Sequence, residues 1–220
     1  MERPLLHSPR FQAAPNPKGS LKDRPSEQND MSPELQNRYR EAQELLAQAE
    51  QLFSAEECDA ALAQVARRIR EDLSGRYPLV LAVMGGAAVF IGRLLPLLDF
   101  PLDFDYIHIT RYGDKLQGGA FQWLREPANV AGRDVLVLDD ILDEGHTMKA
   151  VAEHILAAGA QTCRTAVFAD KQISRPKPIA ADYVGLSVPD RYVFGYGMDA
   201  RQMWRNLGAV YAMKQPPCSP

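Results

Sequence analysis

The chain has 220 residues, of which 46% are hydrophobic and 24% charged, and its formal net charge is −3. These values are ordinary for a soluble globular protein. The slightly acidic balance argues against a nucleic-acid partner, which needs a basic face. The longest apolar stretch, Leu79–Ile91, is shorter than the roughly 20 residues of a membrane span, so we expect no membrane partner either.

The N-terminus and the cysteines indicate a cytoplasmic protein. Leu5 and Leu6 are followed by polar residues and proline, so no apolar signal-peptide core is present. The three cysteines share no short spacing, which indicates neither a disulfide framework nor a zinc site. We therefore expect reduced thiols.

Residues 1–30 differ in composition from the rest of the chain. They hold five of its sixteen prolines among Gly, Ser, Asn and charged residues. Apolar residues there are too few to pack, so ordering them would cost entropy without return, and we predict a disordered tail. We predict one domain over residues 31–215. It consists of N-terminal helices (31–75), a core sheet (76–170) and a closing segment (171–215).

Two helices are predicted first. Ser32–Glu34 supplies an N-cap, a proline at the first helical position and an early acidic residue, and apolar residues continue at helical spacing to Leu52. A second helix begins at Ser54–Glu57, which has the Ser-x-x-Glu form of a capping box. We expect that helix to end at Gly75.

After Pro78 the pattern changes to strands. Leu79–Met84 is a continuous apolar run typical of a strand buried on both faces, and the glycines that follow turn the chain into an apolar helix ending near Leu98. Further strands are predicted at 103–110, 135–138 and 162–168, with a helix at 147–158. Strands alternating with helices predict an α/β fold with a mainly parallel sheet flanked by helices.

The segment Val135–Thr147 carries the sharpest chemical pattern. Four apolar residues deliver Asp139 and Asp140 to a strand tip, Asp143 follows, and the chain turns through glycine into a helix. Backbone N–H groups of such a turn and the helix N-terminus make an anion site that fits a phosphate. The paired carboxylates suit sugar hydroxyls, and ligands of open parallel sheets bind beyond the carboxyl ends of the strands.

This segment resembles the 5-phosphoribosyl-1-pyrophosphate (PRPP) signature of the type I phosphoribosyltransferases. Residues 77–207 are similar to the branch of that family that uses 6-oxopurines, the bacterial hypoxanthine-guanine enzymes. The resemblance implies that family's fold, with a small hood formed by chain-terminal segments. It also implies purine salvage: PRPP and hypoxanthine or guanine give IMP or GMP plus pyrophosphate. Mg²⁺ as cofactor and a homo-oligomer, dimer or tetramer, are implied as well.

The resemblance implies a role for each matching residue. Asp139 and Asp140 would hold the ribose hydroxyls directly or through Mg²⁺, and Asp143 would face purine N7 as the catalytic acid or base. The 5-phosphate would be wrapped by the phosphate loop, which we define as Asp143, Glu144, Gly145, His146 and Thr147. The pyrophosphate would be contacted by Met84, Gly85, Arg111, Tyr112 and Arg205.

The base and the metal are assigned in the same way. Lys171 would donate to the 6-oxo group of the purine, Tyr192 would stack on the ring, and the backbone of Val193 would read the base edge. Asp199 would ligate Mg²⁺ together with Asp139 and Asp140.

Two residues depart from the family pattern. Glu144 stands where the family often has Thr or Ser. Because a carboxylate would repel the phosphate, we expect its side chain to point away while its N–H still contributes. Met84 stands where a lysine is common, which leaves the backbone for the pyrophosphate contact.

The polar segment Arg111–Gly119 contains three glycines, which predicts a mobile lid. Its closure would exclude water from a cation-like transition state.

Two alternatives stay open. The first is a phosphoribosyltransferase for xanthine, adenine or orotate, although a lysine donor at Lys171 suits a carbonyl and opposes an amino group. The second is a non-catalytic regulator of the same fold that senses PRPP or a nucleotide and binds nucleic acid. Neither the net charge of −3 nor the helices at 33–74 supply a clear basic surface for it.

Overall fold

A computed structural model of the chain describes residues 31–111, 121–127 and 129–214. The predicted tail over residues 1–30 lies outside the described residues. The chain divides into two compact units, residues 1–38 and residues 39–220. Of the first unit the structure describes residues 31–38, which begin the first helix, and the second unit contains both sheets. The single domain over 31–215 stays a prediction.

The helices and strands alternate along most of the described chain. They are α1 (Pro33–Ala47), β1 (Ala49–Phe53), α2 (Ala55–Leu73), β2 (Leu79–Met84), α3 (Ala87–Leu94), β3 (Asp103–Arg111), β4 (Phe121–Arg125), β5 (Asp134–Leu142), α4 (His146–Ala157), β6 (Thr162–Gln172), β7 (Tyr183–Pro189), β8 (Val193–Phe194) and β9 (Val210–Met213). Among the helices that the structure describes, none combines the length and apolarity needed to span a membrane.

The larger sheet has six strands in the order β4-β3-β2-β5-β6-β7, parallel throughout except for the antiparallel pair β3 and β4. Side chains alternate between its faces. Val80 and Ala82 of β2 pack in one core with α2 and α3, whereas Leu79, Leu81 and Val83 pack in another core with α4. The predicted fold class, a mainly parallel sheet flanked by helices, is confirmed.

The hood is a separate antiparallel sheet of three strands in the order β1-β9-β8. It shows that the predicted continuation of the first helix to Leu52 is wrong, because α1 ends at Ala47 and residues Ala49–Phe53 form β1. Apolar spacing over one turn fits a helix and a strand equally well. Pairing with β9, for example Glu50 opposite Ala212, decides in favour of the strand.

Strand β5 is longer than its apolar run predicts. It pairs with β6 as far as Leu142 opposite Asp170, so Asp139 and Asp140 lie within the strand rather than after it. The predicted capping box of α2 is present: the Ser54 hydroxyl accepts from the Glu57 N–H at 3.2 Å, and the Glu57 carboxylate accepts from the Ser54 N–H at 2.8 Å.

Candidate active site

Two cavities adjoin at the carboxyl end of β5. The larger, of about 370 Å³, is lined by Gly86, Asp140, Ile141, Asp143, Lys171, Tyr192, Val193, Met198, Asp199 and Arg205. The smaller, of about 330 Å³, is lined by residues 139–145 together with Thr147 and Met148. The structure therefore brings together side chains from the larger sheet and from the segments on either side of β8. Most of the predicted site residues are among them.

The phosphate loop, residues 143–147, connects β5 to α4. Gly145 has a φ of 84°, a left-handed conformation that favours glycine. A Cβ there would also lie 3.3 Å from the Pro178 ring, so the position has little room for a side chain. The N-terminal N–H groups of α4 follow directly, and they favour an anion in the smaller cavity. His146 is not among the residues lining either cavity, so only its backbone is suited to that role.

Asp139 and Asp140 form the carboxylate pair. The Asp139 Oδ1 atom accepts a hydrogen bond from the Asp140 N–H at 2.9 Å. Burial, and then the neighbouring Asp140 carboxylate, raises the pKa of Asp139 well above its usual range. Burial raises the pKa of Asp140 too, although hydrogen bonding to Asp139 and the charge of Arg205 oppose that rise. A hydroxyl group that donates a hydrogen bond, or a nearby cation, would stabilise the ionised form of such carboxylates.

The turn after β2 lies against this pair. A Cβ at Gly86 would overlap the Asp140 carboxylate, and a Cβ at Gly197 would overlap the Gly86 carbonyl. Glycine at both positions thus lets two stretches of backbone reach the carboxylate. The Met84–Gly85 peptide bond is cis. Neither Met84 nor Gly85 is among the residues that line the two cavities.

One wall of the larger cavity combines an ammonium and a carboxylate. Leu142 and Asp170 are opposite one another in β5 and β6, so the residues that follow them, Asp143 and Lys171, are also close. The Lys171 Nζ atom donates to Asp143 Oδ2 at 2.8 Å. The lysine side chain is only 12% exposed, whereas that of Asp143 is 52% exposed. The pair therefore offers a donor and a proton acceptor side by side to a bound molecule.

Tyr192 and Val193 line the same cavity as that pair. Val193 is buried in β8, which fixes its backbone, while the Tyr192 side chain is half-exposed. The Tyr192 hydroxyl accepts a hydrogen bond from the Arg201 N–H at 3.2 Å. The partly exposed ring is available for a flat ligand to stack on.

Arg205 links the two acidic parts of the site. Its Nη2 atom lies 2.5 Å from Asp199 Oδ1, and its Nη1 atom lies 3.9 Å from Asp140 Oδ2. Nη1 also donates to the Gly197 carbonyl at 2.7 Å. The other oxygen of Asp199 accepts from the Gln202 N–H at 2.6 Å. A guanidinium held in this way presents positive charge to an anion above Asp140.

The donor set fits a substrate-borne Mg²⁺ rather than a metal held by protein alone. Within residues 31–111, 121–127 and 129–214, no group of three or more His, Cys, Asp or Glu residues could hold a metal ion. Mg²⁺ is usually bound by one or two carboxylates plus substrate phosphates. Asp140 and Asp199, which line one cavity, match that requirement.

Two of the predicted pyrophosphate contacts lie at or beyond the end of β3, and three residues that line the larger cavity were not predicted. Arg111 ends β3, and Tyr112 with the rest of the predicted lid lies outside the described residues. The sequence analysis missed Gly86, Ile141 and Met198, which line the larger cavity. Gly86 had a usable signal, since it belongs to the glycine pair after β2. The two apolar residues had none that separates them from ordinary core positions.

Comparison with known proteins agrees with this geometry. Residues 48–201 match the family model described as the phosphoribosyl transferase domain. The chain is 34% identical over 165 residues to the bifunctional protein TilS/HprT of Listeria monocytogenes, covering 74% of this chain and 26% of that protein. It thus spans about a quarter of that relative's length. It is 30% identical over 165 residues to the hypoxanthine-guanine phosphoribosyltransferase of Bacillus subtilis, covering 74% of this chain and 92% of that one.

A solved structure gives the same result for the fold. The crystal structure of a hypoxanthine phosphoribosyltransferase from Staphylococcus aureus aligns with a TM-score of 0.70 and 26% identity, covering 75% of this chain and 91% of that one. The family match over residues 48–201 includes the strand-loop-helix that carries the carboxylate pair and the phosphate loop. This chain belongs to the phosphoribosyltransferase family and has its type I fold.

Proposed function

We propose that the protein transfers the 5-phosphoribosyl group of PRPP to N9 of hypoxanthine or guanine, forming IMP or GMP and releasing pyrophosphate in purine salvage. One observation carries the proposal. The carboxylate pair and the phosphate loop adjoin a cavity in which Lys171 and Asp143 meet Tyr192 and Val193. The names of the relatives from Bacillus subtilis and Staphylococcus aureus support the same substrate class.

The residues suit a displacement at the anomeric carbon of ribose. As the bond to pyrophosphate breaks and the bond to N9 forms, positive charge develops on the ribose ring, and Asp139 and Asp140 stabilise it. Arg205 stabilises the negative charge of the leaving pyrophosphate. Asp143 takes up the proton of the base at N7 as the nucleophile attacks, which is general base catalysis.

Asp140 and Asp199, which line the same cavity, would hold Mg²⁺ together with the substrate phosphates, whereas Asp139, the third ligand that the resemblance implies, does not line that cavity. The ion, when bound, supplies further neutralisation of the pyrophosphate charge. The Arg205 guanidinium lies beside the Asp199 and Asp140 carboxylates. Its positive charge therefore offsets the repulsion between these two carboxylates and faces the leaving pyrophosphate.

The wall of the larger cavity that Lys171 and Asp143 form favours a 6-oxopurine. The Lys171 ammonium is a donor only, so it binds a carbonyl oxygen and opposes an amino group at the same position. Asp143 beside it accepts a proton, which matches the N7 position of a purine. The backbone of Val193 is fixed by β8 and can read the remaining edge.

Initial rates with PRPP and Mg²⁺ test the proposal. We expect hypoxanthine and guanine to give kcat/KM values at least about 100-fold above that of adenine. The amino group of adenine would face the Lys171 ammonium, so two donors would oppose one another and neither would have an acceptor. Preference for adenine, xanthine or orotate would contradict the assigned base. Absence of any nucleotide product would contradict the reaction. A gel-shift assay with DNA and RNA at physiological salt separates the regulator alternative, for which we expect no shift.

We further propose that the protein acts in the cytoplasm as a homo-oligomer, a dimer or a tetramer. Cys58 and Cys163 are unpaired thiols, which supports a reducing compartment. Sedimentation equilibrium of the purified chain tests the assembly state, and a single monomeric species would contradict it.

A further inference from the structure

Glu144 places a carboxylate within the phosphate loop. It lines the smaller cavity, where the 5-phosphate of the proposed substrate would bind. The side chain is only 30% exposed, so water screens it incompletely. An uncompensated carboxylate here would repel a phosphate dianion and weaken its binding.

The Glu144 carboxylate is bound by an arginine from a different part of the chain. An Nη2 hydrogen of Arg175 is donated to Glu144 Oε1. On the other side, His146 Nε2 lies 4.0 Å from Glu144 Oε2. Arg175 belongs to the connection between β6 and β7, residues 173–182, which we call the β6–β7 segment.

The β6–β7 segment is fixed against the phosphate loop at two further points. The Lys177 Nζ atom donates at 2.5 Å both to the Leu142 carbonyl, which directly precedes the loop, and to Asp170 Oδ1. A Cβ at Gly145 would lie 3.3 Å from the Pro178 ring and 3.4 Å from the Ile179 side chain, so the segment packs against the loop there. Arg175 therefore comes from a segment whose position relative to the loop is set by other contacts.

The direction of the Glu144 side chain follows from the cavities that it borders. A third cavity, of about 270 Å³, is lined by Asp143, Glu144, Ile173, Ser174, Arg175 and Asp190. Arg175 lines this cavity but not the smaller cavity at the phosphate loop. Pairing with Arg175 thus draws the Glu144 carboxylate toward the third cavity and away from the phosphate.

We propose that Arg175 is a positioning residue for the 5-phosphate of PRPP, because it turns the Glu144 carboxylate out of the phosphate site and cancels its charge. The inference rests on the proposed function, since it assigns the anion to that substrate. Arg175 acts through Glu144 and does not itself contact the phosphate. Its importance therefore depends on the presence of the carboxylate.

A double-mutant cycle separates this role from a direct contact. For Arg175→Ala we expect the KM for PRPP and the Kd for ribose 5-phosphate to rise about tenfold, with kcat within about twofold of the wild type. Glu144→Gln alone should not raise the KM for PRPP or the Kd for ribose 5-phosphate, because it removes the carboxylate charge that Arg175 otherwise cancels. In the double variant Arg175→Ala/Glu144→Gln, both constants should return to within about twofold of the wild type.

A matched control and a folding measurement complete the experiment. Arg67→Ala removes another exposed arginine that pairs with a glutamate, Glu71 on α2, and should change none of these constants. Thermal unfolding of each variant measures whether it is folded at the assay temperature. Calorimetric titration with ribose 5-phosphate needs no turnover, so it gives the cycle even if the base or the reaction is wrongly assigned.

Two results would overturn the inference. One is an Arg175→Ala variant with unchanged KM and Kd. The other is a double variant that keeps the full loss of Arg175→Ala, which would mean that Arg175 binds the phosphate itself. Failure of the proposed function appears differently, as a wild-type protein that forms no nucleotide from PRPP and any base.

Discussion

Asp143 lines all three cavities around the phosphate loop, and its carboxylate accepts a hydrogen bond from the Lys171 ammonium. Its position at the end of β5 sets it next to the β6 lysine through ordinary parallel pairing. In the proposed reaction Asp143 therefore acts on the purine and also belongs to the loop that binds the 5-phosphate. This makes it the most informative residue to change.

For Asp143→Asn we expect kcat to fall by a factor of about 10²–10⁴, the usual contribution of general acid–base catalysis. The KM for PRPP should change by no more than about fivefold, since the backbone of the loop is retained. Steady-state kinetics with hypoxanthine measure both constants. Asp99→Asn, which removes an exposed partner of Arg70, serves as control. Near-normal turnover of Asp143→Asn would contradict the role.

Asp139 is expected to cost stability. Burial raises its pKa, so the folded state binds the proton more tightly than the unfolded chain, whose pKa is near 3.8. Stability is then greatest below the unfolded pKa and falls as pH rises through the folded pKa. Asp139→Asn keeps the oxygen that accepts from the Asp140 N–H but removes the charge.

We therefore expect Asp139→Asn to raise Tm at pH 7.5 by roughly 2–4 °C, about 1 kcal/mol for a chain of this size, while lowering activity. The gain should shrink as the pH falls toward the unfolded pKa near 3.8 and vanish below it, where the wild-type carboxyl is protonated in both states. Scanning calorimetry across that pH range measures it. An unchanged or lower Tm at pH 7.5 would show that Asp139 is not destabilising.

Among the elements, β5, the phosphate loop and the β6–β7 segment form one unit. Lys177 is 13% exposed and Asp170 25% exposed, so their ion pair is largely removed from water. The same ammonium binds the Leu142 carbonyl at the end of β5. Its removal leaves a largely buried carboxylate and a carbonyl without that donor, which costs free energy of folding.

Lys177→Met should lower the free energy of unfolding by about 3 kcal/mol, the scale for breaking a buried pair from one side. Urea denaturation measures it. The double variant Lys177→Met/Asp170→Asn should recover part of the loss because no buried charge is left unpaired. A loss below about 0.5 kcal/mol for the single variant would mean that water already solvates this pair.

Local signals predicted most of these elements, and long-range contacts account for the differences. The capping box at Ser54 and the apolar run of β2 act over a few residues and could be read directly. By contrast, β1 is a strand because of β9, some 160 residues away in sequence, and the length of β5 is set by β6. Arg175 had no local signal either, since Glu144 precedes it by 31 residues, and the Leu142 carbonyl precedes Lys177 by 35 residues.

At the scale of the whole molecule, the site depends on two groups of elements. The larger sheet supplies the carboxylate pair, the phosphate loop and Lys171, whereas β8 and the turns after it supply Val193, Asp199 and Arg205. The second group was predictable only through the family resemblance, because turns and short strands carry little periodicity. Its packing on the Gly86 backbone through Gly197 shows why glycine is required there.

A crystal structure of the protein with PRPP and Mg²⁺ would show whether this edge of the sheet binds the substrate. We expect the 5-phosphate on the backbone of residues 143–147, the ribose hydroxyls at Asp139 and Asp140, and the pyrophosphate between Gly86 and Arg205. PRPP bound elsewhere, with no ligand density at the end of β5, would contradict it.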